Sequence, residues 1–242
     1  MRVLTGTSGY AYKPWKGPFY PEDLKNDRML AFYAGELGAV EINNTFYRMP
    51  SEQMLDRWTE EVGEDFRFVL KASRRITHFK RLKDCEDELS YLLETIVVLG
   101  PRLGGLLFQL PPNFKQDLDR LAAFLDLLPP PCRAAFEFRH DSWFDESTYA
   151  LLRGHRGAIL CIAETDDRRW DELPATGDWG YLRLRRDDYT DQDVERWAKT
   201  IQAQPWEEAF CFFKHEDAGA GPRLAKQLVS YLRPREPGPA VR

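Results

Sequence analysis

The sequence is short of the groups that staple, anchor or export a chain. Its four cysteines, Cys85, Cys132, Cys161 and Cys211, are far apart and show no paired spacing, which argues against a disulfide framework or a thiolate metal site. Two of them sit inside apolar runs and read as small core residues. Histidine is as scarce. His78, His140, His155 and His215 have no helical paired spacing, so a multi-zinc centre is not expected. No stretch approaches the ~18 apolar residues of a membrane span. The opening MRVLTGTSGY lacks the apolar core of a signal peptide and the character of a transit peptide, so a cytoplasmic location is expected. Positive charge is not in excess either: 34 Lys and Arg stand against 39 Asp and Glu, for a net charge of -5. That balance excludes a general surface field able to coat nucleic acid or a membrane, so anion binding has to be local.

What is present suits an ordinary globular chain. At 242 residues and 43% hydrophobic content, packing alone can hold a core. Short β-like runs alternate with longer amphipathic ones, the pattern of βα units around a parallel sheet. The expected strands are Val3–Ser8, Ala39–Asn43, Phe66–Lys71, Leu103–Leu110, Arg133–Arg139, Ala158–Ala163, Gly180–Arg185 and Ala209–Phe213. Helices are expected between them, among others Arg28–Leu37, Glu52–Val62, Glu86–Leu99, Leu118–Leu128, Asp191–Ala203 and Pro222–Leu232. Eight such units fit an α/β fold of TIM type, a single (β/α)8 barrel domain over residues 1–233 with a loose tail over 234–242. A doubly wound open sheet is the alternative, but its Gly-rich nucleotide turn is absent. The segment between Ala163 and Gly180 has few helical apolar positions and reads as a long loop or one short turn of helix.

Residues along a barrel strand alternate between the interior and the helix layer, which makes the pattern testable. In Val40-Glu41-Ile42-Asn43 the apolar pair shares one face, so Glu41 and Asn43 should point inward. The same parity turns Lys71, Gln109, Glu137 with Arg139, and Tyr181 with Arg183 and Arg185 inward. Each polar set lies toward the C-terminal end of its strand, where barrel enzymes place their chemistry.

Several blocks, GTSGYAYKPWKGPFYP from Gly6, VEINNTFYRMP from Val40, THFKRL from Thr77, LGGLLFQLPPNF from Leu103 and AFEFRHDSWF from Ala135, resemble the signature blocks of the DUF72 (YecE-like) family. With the Tyr181–Arg185 strand and the last strand, they run in order through nearly the whole chain. The resemblance implies a TIM-type barrel; it implies no established reaction and no settled catalytic residues. Many members have a His-Gly pair where this chain has Arg185-Arg186, and an Asn-Asn pair where it has Lys214-His215. Those two differences make this site more basic.

Lys71, Arg139, Arg183 and Arg185 put four cations against the carboxylates of Glu41 and Glu137. In an acidic protein such a cluster points to an anionic ligand, since Arg offers bidentate hydrogen bonds to phosphate or carboxylate. Tyr10, Tyr12, Trp15, Phe19 and Tyr20 follow strand one, Phe46 and Tyr47 strand two and Trp143 strand five, and they suit stacking on a base or sugar, or else lid packing; Tyr12, Trp15, Tyr47 and Trp143 are the ones taken into the site set. Asn43, His78, Gln109, Lys214 and His215 complete the expected binding set, and Glu137, Glu41 and His140 are the candidates for moving protons. Gly219 and Gly221 precede Pro222 in a loop that offers backbone amides to a phosphate, or simply caps a helix. No cofactor is required, although a carboxylate-bound Mg2+ or Mn2+ is open to Glu41, Glu137, Glu164 or Asp166.

Three functions fit these residues. The first is an enzyme on a phosphate-bearing substrate, such as a phosphoester hydrolase acting on a nucleotide or nucleic acid. The second is a glycosidase-like hydrolase that uses Glu41 and Glu137 as its carboxylate pair. The third is a non-catalytic protein that binds nucleic acid or a metabolite.

Overall fold

A computed structural model of the chain describes residues 1–130 and 132–232. The expected tail over 234–242 lies outside the described residues. Nine parallel strands form one nearly closed barrel: β1 (Arg2–Ser8), β2 (Ala39–Ile42), β3 (Arg67–Lys71), β4 (Leu103–Gln109), β5 (Ala134–Glu137), β6 (Ala158–Leu160), β7 (Ile162–Glu164), β8 (Trp179–Leu184) and β9 (Glu208–Phe213). The pairing order is β6-β5-β4-β3-β2-β1-β9-β8-β7. The nine strands are the eight expected ones with the sixth divided at Cys161. Its first half pairs with β5 and its second half with β8, so this one segment brings the two ends of the sheet together.

The helices are α1 (Met29–Glu36), α2 (Glu52–Glu61), α3 (Glu86–Ile96), α4 (Leu118–Asp126), α5 (Glu146–Gly154), α6 (Asp191–Gln202) and α7 (Ala220–Leu232). α5 was not among the six helices singled out from periodicity. Its local signal is nevertheless clear, because the Asp145 carboxylate caps it by accepting from the Thr148 amide at 2.9 Å. α6 opens on a full capping box between Thr190 and Asp193. No helix separates β7 from β8, and that stretch is a loop as its composition suggested.

Strand parity produces two buried layers. Residues such as Phe68, Leu70, Leu106, Phe108 and Phe136 face the helices. Leu4, Ala39, Val69, Leu107, Ala135, Ile159, Cys161, Trp179, Tyr181, Phe210 and Phe212 fill the barrel. Small residues face large ones there: a Cβ on Gly104 would meet the Phe210 ring at 2.8 Å. Above this apolar plug, toward the C-terminal ends of the strands, the interior becomes polar. The sequence expectation was slightly long at the C-terminal end of several strands. Asn43, Arg139 and Arg185 lie just beyond β2, β5 and β8, at the start of the loops.

Candidate functional site

Glu41, Lys71, Gln109, Glu137 and Arg183 stand on five different strands and meet inside the barrel. Arg183 is the hub. It donates through Nη2 to Glu41 Oε1 at 2.8 Å and through Nη1 to Glu137 Oε2. Tyr181 donates its hydroxyl to Glu41 Oε2 at 2.7 Å, and Asn43 Nδ2 donates to Glu41 Oε1 at 3.1 Å. On the other side Gln109 donates Nε2 to Glu137 Oε1 at 2.9 Å while its own Oε1 accepts from Lys71 Nζ at 2.7 Å. Arg139 Nε reaches Glu137 Oε1 at 3.0 Å. Glu41, Glu137 and Arg183 are 0%, 1% and 2% exposed, so this is a desolvated ion network, tolerable only because each charge is paired.

The cations dominate the electrostatics. Burial pushes the Glu137 carboxyl up, but Arg183, Arg139 and Arg185 together hold it well below the usual carboxylate range. Glu41 is also held low, because Arg183 and the Tyr181 hydroxyl outweigh its burial. Burial, with Arg183 nearby, lowers Lys71 to about 8. Its ammonium lies 4.2 Å from the Phe46 ring centroid and forms no carboxylate ion pair among the described residues. Arg185 is the least satisfied cation. Its Nη1 lies 3.5 Å from a Glu137 oxygen already taken by Arg139 and Gln109, and its buried Nε has no partner. Lys214 is exposed next to it, and burial together with Arg185 lowers its affinity for a proton.

Other expected site residues are engaged elsewhere. Trp143 is fully buried, stacked on Phe138 at 4.5 Å and donating its indole N–H to the Phe114 carbonyl at 2.8 Å; it is core, not an open stacking surface. Trp15 is likewise fully buried against Tyr12, Phe19 and Tyr20. His140 caps the short 3-10 turn Asp141–Trp143 by accepting from the Ser142 amide at 3.2 Å, and no hydrogen bond joins it to the ion network among the described residues. Tyr12 folds back over Gly9, which has a φ of 97°, and donates to the Ser8 carbonyl at 2.6 Å; burial and Glu216 push its hydroxyl up to about 12. His78 packs edge-on against Phe46 at 4.9 Å and shares a 2.9 Å hydrogen bond with Thr77, and burial with Lys71 nearby lowers it. Tyr47 is exposed. Gly219 sits in the left-handed region at φ 69° just ahead of α7, as a helix-entry turn.

The four carboxylates offered to a metal do not converge. Glu164 faces the helix layer and accepts from Tyr189, Trp197 and Arg196 at 2.7, 2.8 and 2.9 Å, while Asp166 is exposed in the following loop. No group of metal-binding side chains forms among the described residues. Sequence reasoning left two participants out of the site set. Tyr181, which parity had turned inward, is one of three donors to Glu41, beside Arg183 and Asn43, and Phe46 lies beneath Lys71. Both follow the parity or loop position of residues that were chosen.

The family described as "Protein of unknown function DUF72" matches residues 4–241. This chain belongs to the DUF72 family. UPF0759 protein YecE of Escherichia coli K12 is 36% identical over 138 residues, which cover 55% of this chain and about half of that protein, 51%. UPF0759 protein YunF of Bacillus subtilis is 24% identical over 88% of this chain and 89% of its own length. Among solved structures, a DUF72 family protein from Thermotoga maritima superposes with a TM-score of 0.78 at 25% identity, covering 96% of this chain and 99% of that one. A DUF72 family protein from Enterococcus faecalis gives a TM-score of 0.77 at 18% identity, over 95% of each chain. A monomeric dihydrodipicolinate synthase variant, with a TM-score of 0.52 and 12% identity over 96% of this chain and 74% of that one, shares the fold alone.

Arg185-Arg186 and Lys214-His215 meet in space. Arg186 turns away from the mouth to bind Asp193 at 2.9 Å and Asp188 at 3.1 Å, and its carbonyl bonds the His215 Nε2. Arg185 and Lys214 thus stand together toward the mouth, while Arg186 and His215 hold the loops that carry them.

Proposed function

We propose that the C-terminal mouth of this DUF72 barrel binds a phosphate-bearing substrate and hydrolyses its phosphoester, with Arg139, Arg185, Lys71 and Lys214 as the cations that receive the anion. The state of Arg185 carries this reading. It is a mostly buried guanidinium with one long contact to a carboxylate that other cations already neutralise, and an unpartnered Nε. A cation of this kind gains its strongest, charge-assisted hydrogen bonds from an anion, and its planar fork suits phosphate.

Glu41 and Glu137 take a different part in this reading from the proton transfer that the sequence suggested. A general acid or base works best with a pKa near the working pH, and the arginines hold both carboxyls far below it. They act as fixed anchors that aim Arg183, Arg139 and Arg185. Lys71, at about 8, is the network residue able to exchange a proton near neutrality. The glycosidase alternative needs one carboxyl protonated at working pH, which the same arginines oppose.

Thermal denaturation in the presence of inorganic phosphate, sulfate, nucleotides and neutral sugars tests the reading. Ligand at about a hundred times its Kd stabilises the folded state by ~2.7 kcal/mol. The phosphorylated compounds should raise the melting temperature of the parent protein and leave Arg185→Ala unchanged. Protection by neutral sugars alone would overturn the proposal.

A further inference from the structure

The loop between β3 and α3 continues the positive mouth outward. From Lys71 to Lys83 the chain carries six cations and no carboxylate, in a protein whose net charge is -5. Arg75 and Lys80 are tied to Glu88 of α3, at 3.5 and 2.7 Å. Arg74 is not: it forms no ion pair among the described residues, and its guanidinium lies 5.5 Å from the Tyr47 ring centroid and 5.3 Å from that of Phe79. Tyr47 and Phe79 are each 68% exposed, a cost an isolated domain normally avoids for two large rings on one rim. The loop beneath them is built rather than loose, since Ile76, Thr77 and Leu82 are buried and Arg81 and Leu82 are held at φ 51° and 66°. The platform also connects to the ion network. Tyr47 meets Phe46 edge-on at 5.0 Å, Lys71 lies over Phe46 at 4.2 Å, and Lys71 bonds Gln109 of the network at 2.7 Å.

We infer that Tyr47, Arg74 and Phe79 form an entry platform for single-stranded nucleic acid, whose bases stack on the two rings while the backbone passes Arg74 and Lys71 toward the mouth. The inference rests on the phosphate reading above and narrows it from any phosphorylated compound to a polymer with open base faces. Exposed aromatic rings interleaved with cations serve this ligand, because every base has a face to stack and every residue of the strand a phosphate to pair. A duplex hides those faces, and a mononucleotide needs no rim.

The test measures fluorescence anisotropy of labelled oligothymidylate and oligouridylate, of a duplex of equal length, and of thymidine monophosphate by competition. Inorganic phosphate protection of the parent protein is recorded in parallel. Both single strands, or one of them if the 2′-hydroxyl matters, should bind at least about tenfold more tightly than the mononucleotide and the duplex, with an affinity that falls as salt rises. Replacing both rings, Tyr47→Ala with Phe79→Ala, should weaken strand binding by about tenfold or more, as loss of stacked bases does. The ring-retaining pair Tyr47→Phe with Phe79→Tyr should keep it. Equal affinity for duplex, or undiminished binding after ring removal, overturns the platform. Phosphate protection without any preference for the strand also overturns it and leaves the anion site standing; absence of both removes the two together.

Discussion

The molecule buries strand carboxylates in two places, and they are occupied in opposite ways. Glu164, at the end of β7, faces the helix layer, where a tyrosine hydroxyl, an indole N–H and Arg196 satisfy it at 2.7 to 2.9 Å. One carboxylate meets one cation there, and that cation is itself 42% exposed. Glu41 and Glu137 face the barrel interior, where Lys71, Arg139, Arg183 and Arg185 surround them and Arg185 keeps donor capacity to spare. Burial is common to both places, so burial is not what marks a site. The first place is closed, with both carboxylate oxygens of Glu164 taken. The second carries more positive charge than its own carboxylates neutralise, and the excess lies toward the open end of the barrel.

Removing the hub should show the largest effect. Arg183→Leu leaves Glu41 and Glu137 buried without their shared partner, and an uncompensated buried charge costs about 3 to 5 kcal/mol. Chemical denaturation should therefore show a loss at the upper end of that range. A loss under about 1 kcal/mol would mean that the network is more hydrated than the comparison requires.

A matched pair of substitutions sharpens the comparison at smaller magnitude. Glu137→Gln removes one charge from the cation-rich place and should cost about 3 kcal/mol, yet sulfate protection should persist or strengthen because Arg139 and Arg185 are released. Glu164→Gln breaks the closed place at a cost of about 1 to 3 kcal/mol, the range for hydrogen bonds to a charged group, and should leave sulfate protection unchanged. If Glu164→Gln abolished protection instead, the two places would not be independent.

Much of this arrangement was legible before the fold was known, for a simple reason. Period-2 alternation is set by backbone geometry, so Val40-Glu41-Ile42-Asn43 and Phe136-Glu137-Phe138-Arg139 announce which side chains share a face. What sequence left hidden depends on partners distant along the chain. Nothing local to Glu164 says that Trp197, 33 residues later, will donate to it. The aromatics failed for a related reason. Trp15 and Trp143 follow strand ends just as Tyr47 does, but hydrophobic burial decides which rings stay outside, and that is settled by packing. The division of the sixth strand at Cys161 was equally silent, because the residues on both sides are apolar and strand-like.

The smallest expected effect concerns Lys71, and it bears on the cation-rich place alone. In the unfolded chain a lysine titrates near its ordinary 10.5, whereas burial and Arg183 bring Lys71 to about 8 in the folded state. Below pH 8 both states carry the charge, and the folded state bears the full penalty for it. Between about 8 and 10.5 the folded state gives up its proton first, so the unfolded state binds more protons and this group's contribution to stability improves as pH rises. Lys71→Met should therefore be most favourable relative to the parent at neutral pH, with the advantage shrinking toward pH 10. Anion binding runs the other way. Sulfate keeps its charge across this window, so its affinity for the parent should fall about three- to tenfold between pH 7 and 9 as the ammonium is lost, and should stay nearly flat in Lys71→Met. Titration of isotopically labelled lysine resonances, with Lys71→Met for assignment, reads the group directly. A Lys71 signal that titrates at its ordinary value, together with sulfate binding indifferent to pH, would show that neither burial nor the arginines press on this lysine, and would leave it a permanent cation with no part in proton exchange.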